Sequence, residues 1–411
     1  MRFIAYTASA VGVLLSVAGF SPGAQAAPTS GASAFNPPMS VILGGHFAPF
    51  NNDPVHYAIP GFPLSADAAP APGGFSLDES ELVLNANIDD YFYGNITTSL
   101  APEGGIDVEE GYVETTSLGD GLIVRGGRFF SGIGYLNDRH AHTWDFVDTS
   151  LPYRLLLGNQ VRDDGLQLRW VLPTERFTEL GVEILRGDAY PAGGSARNGR
   201  GAYAAYMHVG DDFGVSNSWR VGLSQFRGRA DERSLTGDDI ARIVTAASLE
   251  SVSFSGTARV TLLDAVWKWS PQGNPHQQNL VLAFEFLHRV DDGTLTTSLV
   301  GNGGGVTAYK GSQNGWYVQA AYQMMPAWRV GGRLAQVREK NRADDASVLA
   351  DAGLDSGGHV PRVWSAMVDY NRSEFSRIRM QVNLDHSAAQ TDKQLVLQYV
   401  VSMGAHGAHK F

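Results

Sequence analysis

The chain has 411 residues, no cysteine, 48 glycines and a formal net charge of −11 at pH 7. The lack of cysteine excludes a disulfide framework, thiol chemistry and cysteine metal sites. The acidic balance argues against a nucleic acid partner, because phosphate binding requires a basic surface.

The N-terminus has the pattern of a cleaved export signal. Arg2 supplies the positive start, residues 4–20 form an apolar stretch, and a small-residue cleavage sequence ends at Ala26. Pro22 interrupts the apolar stretch before it reaches roughly 20 residues, the length of a membrane-spanning helix. We therefore predict a signal peptide at 1–26 and a single domain at 27–411.

From residue 39 onwards the sequence alternates apolar and polar residues in short segments, which is the pattern of β-strands with one apolar face. These segments lie at 39–48, 79–89, 91–100, 106–117, 122–130, 165–172, 177–186, 201–209, 219–227, 257–269, 280–289, 315–324, 328–338, 363–370, 376–385 and 393–411. They give about 16 strands, an even number in the range of single-chain outer-membrane barrels.

The connections between the predicted strands alternate between short turns and long loops. Residues 118–121 and 371–375 are short turns, whereas 228–256 and 339–360 are long. Short turns at one end and long loops at the other are typical of outer-membrane barrels. The sequence therefore predicts an all-β fold, a transmembrane antiparallel up-and-down β-barrel, with lipid around its apolar outer face.

The last predicted strand ends on an aromatic residue, Phe411. Outer-membrane barrels typically present such a C-terminal residue to the barrel-assembly machinery. Tryptophans near strand ends, such as Trp219, Trp269 and Trp328, fit the aromatic girdles of a membrane interface. We expect the protein in the outer membrane of a Gram-negative bacterium.

The insertion at 131–163 is the candidate constriction loop. It carries charged residues that would narrow a pore and set a local field if the loop folded into the lumen. These are Asp138, Arg139, Asp145, Asp148 and Arg154. We predict the inward placement because apolar loop residues such as Trp144 and Leu155 need burial that an outer loop does not supply; the alternative is an outward surface loop.

Two histidines in this insertion suggest a metal site. His140 and His142 lie two residues apart, so they share one side of an extended segment, and Asp145 follows. Imidazole and carboxylate ligands suit Zn²⁺. The alternative is a hydrogen-bonded loop network without metal, and His406 and His409 near the C-terminus suggest the same metal chemistry more weakly.

Arginines recur on the predicted polar faces of the strands. They are Arg125, Arg169, Arg220, Arg329, Arg333, Arg377 and Arg379, and Glu285 shares the same surface. A ladder of guanidinium groups could guide anions through a pore. Alternatively, these arginines only keep the wall hydrated and pair with carboxylates, and acidic runs in the loops would favour cations at the mouth. Both signs of selectivity stay open.

Five segments resemble a known family. They are Gly-Gly-Arg-Phe-Phe-Ser-Gly-Ile-Gly-Tyr at 126–135, Trp-Asp-Phe-Val-Asp at 144–148, Arg-Asp-Asp-Gly at 162–165, Ser-Glu-Phe-Ser-Arg at 373–377, and Gly-Ala-His-Gly-Ala-His-Lys-Phe at 404–411, and His140 belongs to the same pattern. Together they resemble Gram-negative outer-membrane porins distantly similar to the phosphate-selective porins. Some members of this family are labelled zinc-regulated or TonB-dependent receptors. The resemblance implies a barrel of 16 or a similar number of strands, trimeric assembly and a connection with metal supply.

A barrel of this size is expected to act as a passive pore for small hydrophilic solutes or ions. The alternative is a metal-binding, receptor-like outer-membrane protein involved in zinc uptake. No Ser/His/acid cluster stands at a readable spacing, so we predict that the protein is not an enzyme and needs no cofactor other than a candidate zinc ion.

Overall fold

The structure is a computed structural model that describes residues 38–49, 59–62, 68, 73–78, 80–101, 104–193, 201–235, 249–299 and 303–404. Its strands are β1 Met39–Ala48, β2 Gly74–Leu77, β3 Ser80–Asn87, β4 Phe92–Ala101, β5 Gly105–Thr115, β6 Leu122–Phe130, β7 Arg162–Val171, β8 Phe177–Leu185, β9 Ala202–Asp212, β10 Asn217–Ser234, β11 Leu249–Trp269, β12 Asn279–Leu299, β13 Gly303–Met325, β14 Trp328–Ala343, β15 Arg362–Ser373, β16 Ser376–Asp385 and β17 Asp392–Gly404. The predicted signal peptide, Phe411, His406 and His409 lie outside the described residues.

Each strand pairs antiparallel with its neighbours in the chain, and the sheet closes on itself. Closure comes from β1 and β17, where Val41 lies opposite Met403 and Phe47 opposite Leu397. β2 and β3 pair with the second and first halves of β1, so they are two parts of one interrupted strand. The wall therefore has 16 strands, and the predicted antiparallel up-and-down barrel is confirmed.

The two faces of the wall differ in polarity because side chains alternate along each strand. On β16 the exposed outer positions include Ile378 and Leu384, whereas the inner positions include Arg379 and Gln381, both fully buried. A water-soluble barrel has the opposite arrangement, with apolar residues inside. An apolar outer band around a polar interior is the pattern of a barrel that faces lipid.

Strands β10 to β14 are longer than the sequence predicted. β13 has 23 residues, whereas a strand of about 9–11 residues crosses a bilayer. On β12 the outward positions change from exposed Leu282 and Phe284 to exposed Asp292 further along. The sequence prediction assigned these extensions to loops, because their outward-facing residues are mostly polar. They remain strands because the backbone ladder continues through them.

Most connections at one end of the barrel, here called the turn end, are short, and the longest connections lie at the other, the loop end. The turn after β13 is only 326–327, whereas 131–161 and 344–361 connect strands at the loop end. The loop-end segments contain two short helices, α1 Leu151–Leu157 and α2 Ala346–Asp351.

Among the residues that the structure describes, no helix is long and apolar enough to cross a membrane.

Candidate functional site

The connection between β6 and β7, residues 131–161, is here called the lumen loop. It leaves the wall after Phe130 and folds into the barrel, where it contacts inward-facing side chains of distant strands. Near its start, the amide N of Gly132 donates to Glu183 Oε1 on β8 at 2.8 Å. Further along, the amide N of Tyr135 donates to Glu285 Oε1 on β12, also at 2.8 Å. The inward placement predicted from the sequence is what the structure has.

A buried asparagine joins the two ends of the lumen loop. Asn137 Nδ2 donates to the carbonyl oxygens of Ser131 at 2.8 Å and Val161 at 2.9 Å. Its Oδ1 accepts from the amide N of Val161 at 2.7 Å. Because one side chain holds both ends, the loop is a closed unit with its own hydrogen bonds. Sequence reasoning did not single out Asn137.

Apolar residues of the lumen loop pack against the inner wall. All seven residues of α1 are buried, and Pro152 lies so close to Gly315 of β13 that a Cβ there would come within 2.8 Å. Phe146 of the loop packs with Ala321 on β13 and Met367 on β15. Burial of these side chains removes apolar surface from water, which explains why the loop lies inside the barrel.

Two aspartates of the lumen loop form ion pairs with the wall. Asp145 pairs with Arg329 and also accepts from Gln319 Nε2 at 3.0 Å. Asp148 Oδ1 pairs with Arg333 Nη2 at 2.6 Å and accepts from Gln381 Nε2 at 3.0 Å. Charge-assisted hydrogen bonds of this kind are stronger than neutral ones.

These ion pairs lower the pKa of both aspartates. Burial raises the pKa of Asp145, but the positive charge of Arg329 and its hydrogen bond outweigh burial and lower the pKa. Burial likewise raises the pKa of Asp148, but Arg333 and the hydrogen bond from Gln381 outweigh it and lower the pKa. Both carboxylates are therefore charged at neutral pH.

Three more arginines from the predicted ladder donate to backbone carbonyls of the lumen loop. Arg377 Nη2 reaches the carbonyl oxygen of His142 at 2.7 Å, and Arg379 Nη1 reaches that of Trp144 at 3.0 Å. Arg220 Nη2 reaches the carbonyl oxygen of Gly134 at 3.0 Å. Together with Arg329 and Arg333, these arginines hold the loop across the lumen.

Several of the ladder arginines also pair with wall carboxylates. Arg379 makes two bonds with Asp369, at 2.7 and 2.9 Å. Arg125 Nη2 and Arg169 Nη2 both reach Glu114 Oε2, at 2.8 and 3.4 Å. Pairing with carboxylates was the alternative considered from the sequence. The selectivity role of these arginines stays a prediction.

Glu285 was predicted to line the pore, and the structure places it beneath the lumen loop with no exposed surface. It accepts from the amide N of Tyr135, from the Tyr153 hydroxyl at 2.9 Å and from the Tyr317 hydroxyl at 2.5 Å. This side chain therefore anchors the loop to β12, and any effect on passing ions would act through its field rather than by contact.

The remaining charged residues of the predicted constriction have different surroundings. Arg139 lies over the Tyr135 ring, 4.2 Å from its centroid, and Arg154 Nε donates to the carbonyl oxygen of Ala68 at 3.0 Å. Asp138 is exposed. Asp138 is thus the member of this set most open to water in the lumen.

The predicted metal ligands separate into two places. His140 and His142 lie together, with ring centroids 5.9 Å apart. Asp145 does not complete this group, because its carboxylate pairs with Arg329 on β14. The carboxylates beside the histidines come from Glu81 on β3 and from Glu109 on β5.

A β-bulge explains why sequence reasoning missed Glu109. On β5, Glu110 lies opposite Thr97 and Val108 lies opposite Thr98, so Glu109 is an extra residue without a cross-strand partner. The bulge interrupts the alternation and leaves both Glu109 and Glu110 buried. Two consecutive glutamates in a predicted strand are the signal that could have indicated it.

The pKa of His140 reflects this acidic environment. Burial lowers the pKa, but the negative charge of Glu81 and the hydrogen bonds to Glu109 and Glu110 outweigh burial and raise it well above its ordinary value. His140 Nδ1 lies 3.1 Å from Glu109 Oε2, and Nε2 lies 3.1 Å from Glu110 Oε2.

Comparison with known proteins gives relatives in sequence and in structure. No family model matches the chain. An uncharacterized protein of Aquifex aeolicus (strain VF5) is 28% identical over 357 residues, which cover 82% of this chain and 70% of the relative.

Solved outer-membrane proteins share the architecture at low sequence identity. The loop L8 deletion mutant of OmpT of Vibrio cholerae has a TM-score of 0.54 at 10% identity, covering 89% of this chain and 98% of that one. The chain has the fold of the outer-membrane porins. The trimer form of the same OmpT gives a TM-score of 0.50 at 9% identity, with 89% of this chain and 98% of that one covered.

Two channels extend this comparison. The outer membrane channel DcaP of Acinetobacter baumannii has a TM-score of 0.52 at 13% identity, covering 89% of this chain and 96% of that one. An anion-selective porin from Comamonas acidovorans has a TM-score of 0.51 at 11% identity, covering 89% and 98%. The predicted link to phosphate-selective or zinc-regulated members stays a prediction.

Proposed function

We propose that the protein is an outer-membrane porin through which small hydrophilic solutes or ions diffuse passively. The observation that carries this proposal is the closed barrel with an apolar outer band and an interior that holds many buried charged and polar side chains beside the packed loop. A barrel of this strand number encloses a lumen wider than its wall side chains can fill. The lumen loop then narrows the path, so the loop and its charged residues would set the width and the local field.

The surroundings of the barrel follow from the same proposal. Residues 1–26 would direct export, Phe411 would be recognised by the barrel-assembly machinery, and lipid would cover the apolar band. The turn end would face the periplasm, since short turns lie on that side of such barrels. The trimer form known for OmpT supports a homotrimer as the expected assembly.

Single-channel recording tests this function directly. Refolded protein without residues 1–26 is placed in a planar bilayer, and zinc and phosphate are added in turn. Stepwise open currents are expected, and a solute that blocks them would indicate the cargo. A folded barrel that conducts nothing would overturn the porin proposal. It would favour the other prediction from the sequence, a metal-binding receptor, or a structural role.

The role of the lumen loop and its arginines as a constriction is tested by measuring whether the pore prefers anions or cations. Arg377 and Arg379 both donate to carbonyl oxygens of the lumen loop, but Arg379 is also paired twice with Asp369. Arg377→Ala should therefore shift the reversal potential in a salt gradient towards cations. The double variant Arg379→Ala/Asp369→Asn removes a neutral pair and should shift it much less. Equal shifts, or none, would remove Arg377 from the selectivity filter.

A further inference from the structure

Three parts of the chain meet at His140. Glu81 comes from β3, Glu109 from the bulge on β5, and His140 from the lumen loop. Both glutamates are buried, with 1% and 4% of their surface exposed. One carboxylate oxygen from each and one ring nitrogen of His140 lie within 4.8 Å of one another. Residues far apart in sequence thus present three ligand atoms to a common point.

The distances among these atoms suit a small metal ion. His140 Nδ1 lies 3.1 Å from Glu109 Oε2 and 3.5 Å from Glu81 Oε2. Zinc bonds of about 2.0–2.2 Å in a tetrahedron separate neighbouring ligand atoms by about 3.4 Å. An ion could therefore bind with small side-chain movements and no change of the backbone.

A second layer of contacts orients the ligands. The other ring nitrogen of His140, Nε2, lies 3.1 Å from Glu110 Oε2. The other oxygen of Glu81, Oε1, lies 2.7 Å from His142 Nδ1. Metal-binding histidines and carboxylates usually have such partners, which fix the ring orientation and raise ligand basicity. The arrangement therefore resembles a complete metal site more than a simple ion pair.

Charge favours a cation at the same point. Three carboxylates surround two imidazoles, so a negative charge remains even when both imidazoles are protonated. The His140 side chain is 21% exposed, which gives an ion access from the lumen and leaves a coordination position for water. Nitrogen together with oxygen ligands favours a transition metal over calcium or magnesium.

We propose that Glu81, Glu109 and His140 bind one divalent transition-metal ion, for which zinc is the probe. The ion would cross-link the lumen loop to β3 and β5. Glu110 and His142 would act as positioning residues. This site is independent of conduction, so its binding can be measured in detergent whether or not the barrel carries current.

Isothermal titration of zinc into the full barrel at pH 8 tests the site, because metal displaces the imidazole proton more easily at this pH than at neutral pH. The protein carries His406→Ala and His409→Ala so that the terminal histidines do not bind. One equivalent of zinc should bind. Glu109→Gln and His140→Ala should each weaken the affinity at least tenfold. His208→Ala is the matched control, because His208 is also buried beside a carboxylate, with Nδ1 3.4 Å from Glu179 Oε2. This variant should bind zinc with the affinity of the parent.

Folding of each variant is checked by its heat-modifiable migration on a gel. Independently of any variant at Glu109, Co²⁺ added to the parent barrel should give the visible absorption of a site with imidazole and oxygen ligands. Zinc binding that is absent, or that is equal in the parent, Glu109→Gln and His140→Ala, would overturn the proposal. So would calcium or magnesium competing with zinc at equal concentration.

Discussion

The ion pair between Asp148 and Arg333 should control how firmly the lumen loop is held inside the barrel. Arg333 is buried, and its guanidinium donates both to Asp148 Oδ1 at 2.6 Å and to the carbonyl oxygen of the same residue at 2.7 Å. Asp148→Asn keeps the shape and an acceptor oxygen, but it removes the negative charge. The buried guanidinium then loses its counter-charge.

The size of the effect follows from the charge that the substitution removes from this contact. A hydrogen bond to a charged group contributes about 1.5–3 kcal/mol. Asp148→Asn should therefore raise the population of a detached loop by roughly 10- to 150-fold, at 1.4 kcal/mol for each tenfold change. The closed wall should keep its global stability, because its backbone ladder is unchanged.

A single introduced thiol reports the detached state. The chain has no cysteine, so Ser150→Cys provides the sole thiol. Ser150 is fully buried, and its hydroxyl makes no hydrogen bond to any described residue, so the exchange removes none. A maleimide should then react only when the loop opens, and the rate should follow the open population. Ser373→Cys, on an exposed strand end, is the control that should react equally fast in both backgrounds.

Equal labelling rates at residue 150 with and without the Asp148→Asn substitution would refute the reasoning. The same result would follow if the loop were held by its apolar contacts alone. A different rate at the control position would instead indicate that the reagent or the sample differs between the two backgrounds, so the rate at residue 150 is read relative to it.

Three further predictions concern the same loop. Glu285→Ala leaves three buried donors without their acceptor, which costs about 1–3 kcal/mol of stability for each donor. The urea midpoint of unfolding should therefore fall well below that of Glu285→Gln, and equal midpoints would contradict this. The folded pKa values of Asp145 and Asp148 are lowered below the ordinary 3.8, so their stabilisation is complete above that value and is lost as pH falls through the lower folded values. The protection that Asp148 adds to the loop, measured as the difference in hydrogen exchange between the parent and Asp148→Asn, should stay constant from neutral pH to about pH 5 and fall only in stronger acid; a difference that grows on acidification would disprove it. Gly134 has φ +68°, and an added Cβ would lie 2.5 Å from Glu285 Oε1 and 2.7 Å from the Tyr153 hydroxyl. Gly134→Ala should therefore strain the loop by about 1–3 kcal/mol and increase the labelling rate at residue 150. An unchanged rate would show that the site can relax.

Strand alternation carried most of the fold prediction. The faces of β16 follow from the sequence, because a period of two places Ile378 and Arg379 on opposite sides whatever the neighbours are. The ends of β10 to β14 did not follow, because the extensions have no apolar outer face to mark them. Their pairing with neighbouring strands, which is a property of the sheet, decides where they end.

For the candidate site, too, the sequence predicted some features and the folded structure decided others. The composition of the insertion indicated that it needs burial, since Trp144 and Leu155 are apolar residues between strands. Which wall residues would receive it could not be read from the chain. Ion pairing decided that Asp145 contacts Arg329, 184 residues away, instead of the nearby histidines.

The sequence alone therefore determined the barrel class, the polarity of the two faces and the identity of the inserted loop, because these depend on residue order within short segments. The tertiary structure decided the partners of the arginines and the surroundings of His140. Closure of the barrel brings β3, β5 and the lumen loop together, and the bulge on β5 turns Glu109 inward. Charges in an enclosed space of low dielectric must pair, so the pairing follows from proximity in the folded chain rather than from spacing in the sequence.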